Sequence, residues 1–179
     1  MEPLTPRFYV VARVVGSDGS FKRWSELLVH LCAVSATEPQ GTTYYWGQDL
    51  DGEPNTLWGL EGYSHAVGFF LGHPASEVFK TQMAFVDTEK LLREDYDLHY
   101  YDAFGGFLKR DEDPERDSKT GFVAVYHFWA KDKELREAIL GLLRSLASKT
   151  RNSTAGDAVQ SCQVLRECND ETMATLWLR

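Results

Sequence analysis

FYVVARVV, residues 8–15, is echoed further along the chain by FVAVYHFW, residues 122–129. Both are short apolar runs rich in valine and aromatic residues, which is a strand signal. The stretches after each run repeat as well: an amphipathic helical segment, a strand, then NTLWGLEGY (residues 55–63) in one case and TMATLWLR (residues 172–179) in the other. A repeat of this period governs the fold reading, because each copy is one supersecondary unit. The chain reads as two small α+β units in tandem, the second stopping early.

In the first copy a turn at Gly16–Ser20 leads into a helix, with Asp18 or Ser20 placed to cap it. Trp24, Leu27, Leu28, Leu31 and Val34 recur at helical spacing and predict a buried stripe. Pro39 and Gly41 end that helix. TTYYWGQDL (42–50) and residues 56–63 predict two strands joined by the Asp51–Asn55 turn. Two helical pieces, about 64–71 and 75–83, are separated by Gly72-His73-Pro74. A strand over 96–109 closes the copy, with Gly105-Gly106 marking a bulge or bend. The order β-α-β-β-α-β is a ferredoxin-like, split-βαβ plan, with helices on one face of an antiparallel sheet.

KRDEDPERDSKT (109–120) is charged, holds a proline and lacks apolar residues, so it reads as a linker. The expected organisation is a complete domain over 1–108, the linker, and a partial second domain over 121–179. In the second copy a helix over 131–149 would turn Leu135, Ile139, Leu142, Leu143 and Leu146 inward. The closing helix and strand of the first copy have no counterpart there.

Composition narrows the function classes. Of 179 residues 43% are hydrophobic, with ten Phe, eight Tyr and five Trp, which argues for a real core. A net charge of -8 without a basic stripe argues against a nucleic-acid partner. No run is long enough to cross a bilayer. MEPLTPRFYV lacks the pattern of a secretory leader, so a cytoplasmic protein is expected. Cys32, Cys162 and Cys168 have no metal spacing and read as reduced thiols. No glycine-rich nucleotide loop, G-x-S-x-G elbow or H-E-x-x-H motif is present, and neither a metal nor an organic cofactor is expected.

A sheet face of Val, Tyr, Phe and Trp must be covered, since each large apolar side chain left in water forfeits about 1.5–3 kcal/mol. Two sheets, from two units or two copies, would shelter each other in a barrel-like body. A pocket would then lie between a unit's sheet and its helices, closed by the break at Gly72-His73-Pro74. Its aromatic lining candidates are Tyr45, Trp46, Trp58, Tyr63, Phe69 and Phe70, which suits a flat apolar molecule carrying a few oxygens. Ordinary core packing is the competing reading of each. The polar candidates nearby are Asn55, Glu61, Ser64, His65 and His73. A histidine titrates near neutrality and can move a proton.

The run EPQGT (38–42), then Tyr44-Tyr45-Trp46, then PNTLWGLEGY (54–63), then His73-Pro74 and Val78-Phe79-Lys80 resembles an antibiotic biosynthesis monooxygenase (ABM) domain. The likeness covers residues 8–107, and residues 122–179 look like two-thirds of a second copy, an outline similar to fungal tandem proteins. The resemblance implies a dimeric α+β barrel and a homodimer. It implies hydroxylation with O2 of a small aromatic, polyketide-like or lipid-derived molecule, in some members without metal or flavin. It gives Asn55, Tyr63, His65 and His73 catalytic roles and Trp46, Trp58, Phe69 and Phe70 substrate-binding roles. Haem-degrading relatives use an Asn, a Trp and a His at positions that fall here on a first strand without Asn, on Tyr63 and near Phe69 and Phe70, so the resemblance does not extend to haem. Two alternatives stand beside oxygenation: a non-oxidative cyclase or decarboxylase on the same scaffold, and a binding or assembly protein without turnover.

Overall fold

The computed structural model describes residues 7–110, 113, 121–152 and 158–179. Most of the expected linker therefore lies outside the described residues. The fold is α+β and groups into two compact units, residues 1–100 and 101–179.

Unit 1 is built from β1 (Phe8–Val15), α1 (Phe21–Ser35), β2 (Gly41–Gln48), β3 (Thr56–Tyr63), α2 (Glu77–Thr88) and the start of β4 (Asp97–Phe107). The strand order is β2-β3-β1-β4, with β1 and β2 both antiparallel to β3. This is the split-βαβ order that the sequence predicts. Alternation along β1 sends Phe8, Val10 and Val14 to the helical side. There Trp24, Leu27, Leu28 and Leu31 of α1 meet Val14, Leu57 and Val86 in one apolar cluster. The Trp24 indole N–H donates to the Leu91 carbonyl at 3.1 Å, so the ring is buried without an orphaned donor.

Between β3 and α2 the expected helical pieces are reshaped. A π-helical turn over Gly68–Gly72 is followed by a single 3-10 turn over His73–Ala75. α2 then starts at Glu77, capped by the Ser76 hydroxyl, which accepts from the Phe79 N–H at 3.1 Å. The wide and tight turns in succession roll His73 inward and leave it 1% exposed.

Unit 2 holds the rest of β4, then β5 (Ala124–Trp129), α3 (Lys133–Asn152), β6 (Cys162–Glu167) and β7 (Met173–Leu178), in the order β4-β6-β7-β5. β5 and β6 are antiparallel to β7, as β1 and β2 are to β3. α3 meets expectation in part: Ile139 and Leu143 pack against the core of unit 2. Its buried face is Arg136, Leu140 and Ala147, while Leu135, Leu142 and Leu146 stand exposed. Arg136 takes an inward place because its guanidinium donates to the carbonyls of Glu167 at 3.2 Å and Asp170 at 3.1 Å. Among the described residues no helix is long and apolar enough to cross a membrane.

The Gly105-Gly106 pair does mark a bulge: the β4–β6 register shifts between Ala103 and Gly105. Gly106 sits at φ 99, and a Cβ there would collide with the Cys162 carbonyl oxygen. Gly106→Ala is expected to cost at least about 1–2 kcal/mol from the backbone conformation alone, and more from the clash. Thermal melting checks this; a variant as stable as the parent would contradict the bulge geometry.

Candidate active site

Unit 1 holds a partly open pocket of about 110 Å³ between its sheet and its helices. The sheet side is Val10, Ala12 and Val14 of β1, Tyr44 and Trp46 of β2, and Glu61 of β3. Strand alternation puts these on one face. Trp46 lies close over β3 because residue 59 is glycine: a Cβ there would stand 2.6 Å from the indole. The helical side is Trp24, Leu28 and Leu31 of α1 and Phe79 and Met83 of α2, with Phe69 from the π-helical turn. Apart from Glu61 and His73 the wall has no carboxylate or imidazole.

Those two residues anchor a buried polar network. His73 Nδ1 lies 2.6 Å from Glu38 Oε1, at the entry to β2. An ionised carboxylate can only accept, so Nδ1 carries a proton, and in the neutral imidazole Nε2 would then present its lone pair. Among the described residues Nε2 has no hydrogen-bond partner, and it is buried. The ring is held by Tyr44, at 5.6 Å between centroids, and edge-on by Phe79 at 5.0 Å.

On β3 the Tyr63 hydroxyl donates to Glu61 Oε2 at 2.8 Å. Burial pushes the Glu61 carboxyl above the ordinary carboxylate range; the charge of His73 and the Tyr63 hydrogen bond offset part of that rise. Burial, and then the charge of Glu61, hold the phenols of Tyr63 and Tyr44 far above their ordinary value. Both phenols are therefore donors at any working pH. Among the described residues no group of three or more His, Cys, Asp or Glu is placed to hold a metal ion.

The structure brings some of the sequence candidates together and scatters the others. His73, Trp46 and Phe69 line the cavity, and Tyr63 stands behind Glu61. Trp58 lies in β3 at the opposite parity from Glu61, where its indole N–H donates to Asp49 at 3.2 Å. Tyr45 shares that opposite parity in β2 and is absent from the wall. Phe70 is half exposed and packs on Phe8 and Tyr100. His65 is exposed, its Nδ1 accepting from the Val67 N–H at 3.1 Å. Asn55 sits in the β2–β3 turn at φ 62, its carbonyl accepting from Gly16. The sequence gives no hint of a role for Glu38 and marks Glu61 only as a polar neighbour. The available signal was parity: Glu61 falls two residues from Tyr63 and four from buried Leu57 along β3.

No protein-family model matches the sequence, and no curated protein matches it. Solved structures do share the fold. A Fusobacterium nucleatum protein with a provisional monooxygenase assignment superposes with a TM-score of 0.75 at 11% identity, over 97% of this chain and 75% of that one. A Lactobacillus acidophilus protein with the same provisional assignment gives 0.68 at 9%, over 97% of this chain and 76% of that one. At these identities the likeness is one of fold. A solved antibiotic biosynthesis monooxygenase matches over 54% of this chain and 97% of its own, at 19% identity and a TM-score of 0.48, and no argument rests on it.

The Glu61 environment has a consequence for stability. A carboxyl whose folded pKa is raised favours folding fully below its unfolded pKa, and that contribution is lost as pH rises through the folded value. Glu61→Gln stays neutral throughout. It is expected to melt near the parent at about pH 4 and above it at about pH 8, with the gap widening between. A gap that is flat or narrows with pH contradicts the assignment.

Proposed function

We propose that unit 1 is the working domain of a cofactor-independent monooxygenase of the ABM type, acting with O2 on a small phenolic or hydroquinone-like molecule. One observation carries the reading: a buried histidine in the wall of an aromatic pocket is held at Nδ1 by Glu38 and has a buried Nε2 without a hydrogen-bond partner. The resemblance of residues 38–80 to an ABM domain and the fold shared with the two structures above support it.

The chemistry follows from the environment of each group. His73 Nε2 takes a proton from an activated methylene carbon or from a phenolic hydroxyl, whose anion delocalises onto a ring carbon. Glu61, whose neutral form burial favours, and the Tyr44 hydroxyl can donate to the enolate oxygen that forms. The carbanion passes one electron to O2, and the radical and superoxide recombine at carbon. Proton return gives a hydroperoxide, which loses water to leave a carbonyl. One oxygen atom ends in the product and the other in water. The apolar wall keeps bulk water from the anion.

Size limits the substrate. A volume of about 110 Å³ is below the ~300–1,000 Å³ of pockets for drug-sized ligands and near the ~150 Å³ of an apolar cavity that takes up benzene. A single ring fits with small adjustments of Phe69 and Met83; a tricyclic compound does not.

Oxygen uptake by the metal-stripped protein, with single-ring hydroquinones and with anthrone, tests the reading. Uptake is expected with the single rings and should fall about 10²–10⁴-fold in His73→Gln, with the melting temperature recorded to exclude unfolding. No uptake across the panel overturns the proposal. Product formed equally under nitrogen would replace it with the cyclase or decarboxylase alternative. Met83→Ala enlarges the slot and is expected to raise anthrone turnover relative to hydroquinone; the reverse change would refute the size argument.

A further inference from the structure

The pocket of unit 1 begins as a dent in its own sheet. Ala12 of β1 and Trp46 of β2 both stand opposite Gly59 of β3, so one cross-strand row carries a methyl, a hydrogen and an indole on the helical side. The row on one side is Val10, Glu61 and Tyr44, and the row on the other is Val14, Leu57 and Gln48. The helical face is therefore lowest at positions 12 and 59.

Gly59 is absent from the pocket wall because the Trp46 indole covers it. A Cβ at 59 would stand 2.6 Å from Cε2, 2.7 Å from Cζ2 and 2.8 Å from Cδ2 of that indole. No side chain can be added there unless the indole moves off the strand, and the space on its helical side is the pocket. Ala12 does line the pocket, with Val10, Val14 and Trp46 around it.

The internal repeat supplies a control. In the echo of residues 8–15 by 122–129, Tyr126 holds the place of Ala12. Tyr126 stands opposite Leu176 of β7, where Ala12 has Gly59, and Leu176 stands opposite Val164 of β6, where Gly59 has Trp46. The row in unit 2 is large at both positions where unit 1 is smallest. The shared strand plan thus does not require small residues at either place, and sheet packing alone does not account for them in unit 1.

We infer that Ala12 and Gly59 are specificity-determining residues of the unit 1 site: Ala12 is the floor on which a single ring lies, and Gly59 keeps that floor clear by letting the Trp46 indole recline on β3. This selection rests on the pocket being the single-ring site proposed above.

Fluorobenzene, a single ring without an acidic hydrogen, is titrated into the full-length protein and followed by fluorine NMR. Saturable binding is expected. Ala12→Val fills the floor, and Gly59→Ala drives the indole over it. Each is expected to weaken binding at least about tenfold, since one methylene in an apolar pocket discriminates about 10–200-fold. Valine already stands at 10 and 14 on the same face, so Ala12→Val is expected to melt no lower than the parent. In Gly59→Ala/Trp46→Leu the flexible leucine end can turn away from the added methyl, and binding is expected to recover relative to Gly59→Ala alone. A general folding defect at residue 59 would not be repaired in this way. The assignment is overturned if the parent shows no saturable binding, if both single variants bind as the parent does, if Ala12→Val loses binding only together with its melting temperature, or if the double variant binds no better than Gly59→Ala. The titration needs no turnover. Binding that follows this pattern without oxygen uptake on the hydroquinone panel leaves the specificity residues standing and removes the oxygenase reading, and the opposite pair of results does the reverse.

Discussion

The 2.6 Å contact between Glu38 and His73 holds the imidazole in place, and the geometry of the candidate site depends on it. An ionised carboxylate accepts from Nδ1, and in the neutral imidazole Nε2 is then an acceptor. Burying Nε2 and the second Glu38 oxygen without partners costs about 1–3 kcal/mol each. The surrounding packing must offset that cost: Tyr44 and Phe79 hold the ring, and the aromatic and aliphatic wall removes a large apolar area from water. Glu38 and His73 are 35 positions apart in sequence. Their meeting depends on β2 and β3 being paired and on the successive turns at Gly68–Ala75, so the site exists only when the whole unit is folded.

Burial then sorts the remaining groups. It pushes Glu61 toward its neutral form and holds both tyrosines as phenols. Both phenols are thereby held as donors, and the neutral form of the carboxyl is favoured. Opposed assignments of this kind in one water-poor pocket let a fold separate a base from an anion stabiliser at a single pH. The tyrosine network also stiffens β3, since Tyr63 is tied to Glu61 along its own strand.

Much of this was legible in the sequence, and the misses have physical causes. The repeat and the β-α-β-β-α-β plan could be read from periodicity and breakers, whereas His73, expected in a break that closes a pocket, is buried in the pocket wall. Trp58 and Tyr45 point away from the cavity although their neighbours line it, because strand faces alternate at every residue. In TLWGLEGY two glycines erase the apolar alternation that would have fixed parity. Glu61 drew no catalytic role because a glutamate in a strand ordinarily marks the solvent side; only its contacts with Tyr63 and His73 explain its burial. Hydrophobicity alone spreads the inward face of α3 too widely: Ile139 and Leu143 pack on the core, while Leu135, Leu142 and Leu146 stand exposed. The choice is made by Arg136, whose guanidinium satisfies two backbone carbonyls that the sequence does not show as close.

The same local pattern thus does different work in its two copies. β1 and β5 are both short, apolar and aromatic, and each is paired with the third strand of its unit. β1 becomes a pocket wall because α2 packs beside α1 and its Phe79 and Met83 face the same apolar side chains. β5 keeps the same kind of side chains without that closure, and AVYHFW contains no Lys, Arg, Asp, Glu or Pro to blunt it. Charged flanks and prolines are how natural sheets protect such surfaces, so their absence from this strand is informative. A single covering helix therefore separates a lined pocket from an open sheet face, and the surroundings of each unit's strands are set by what lies over them.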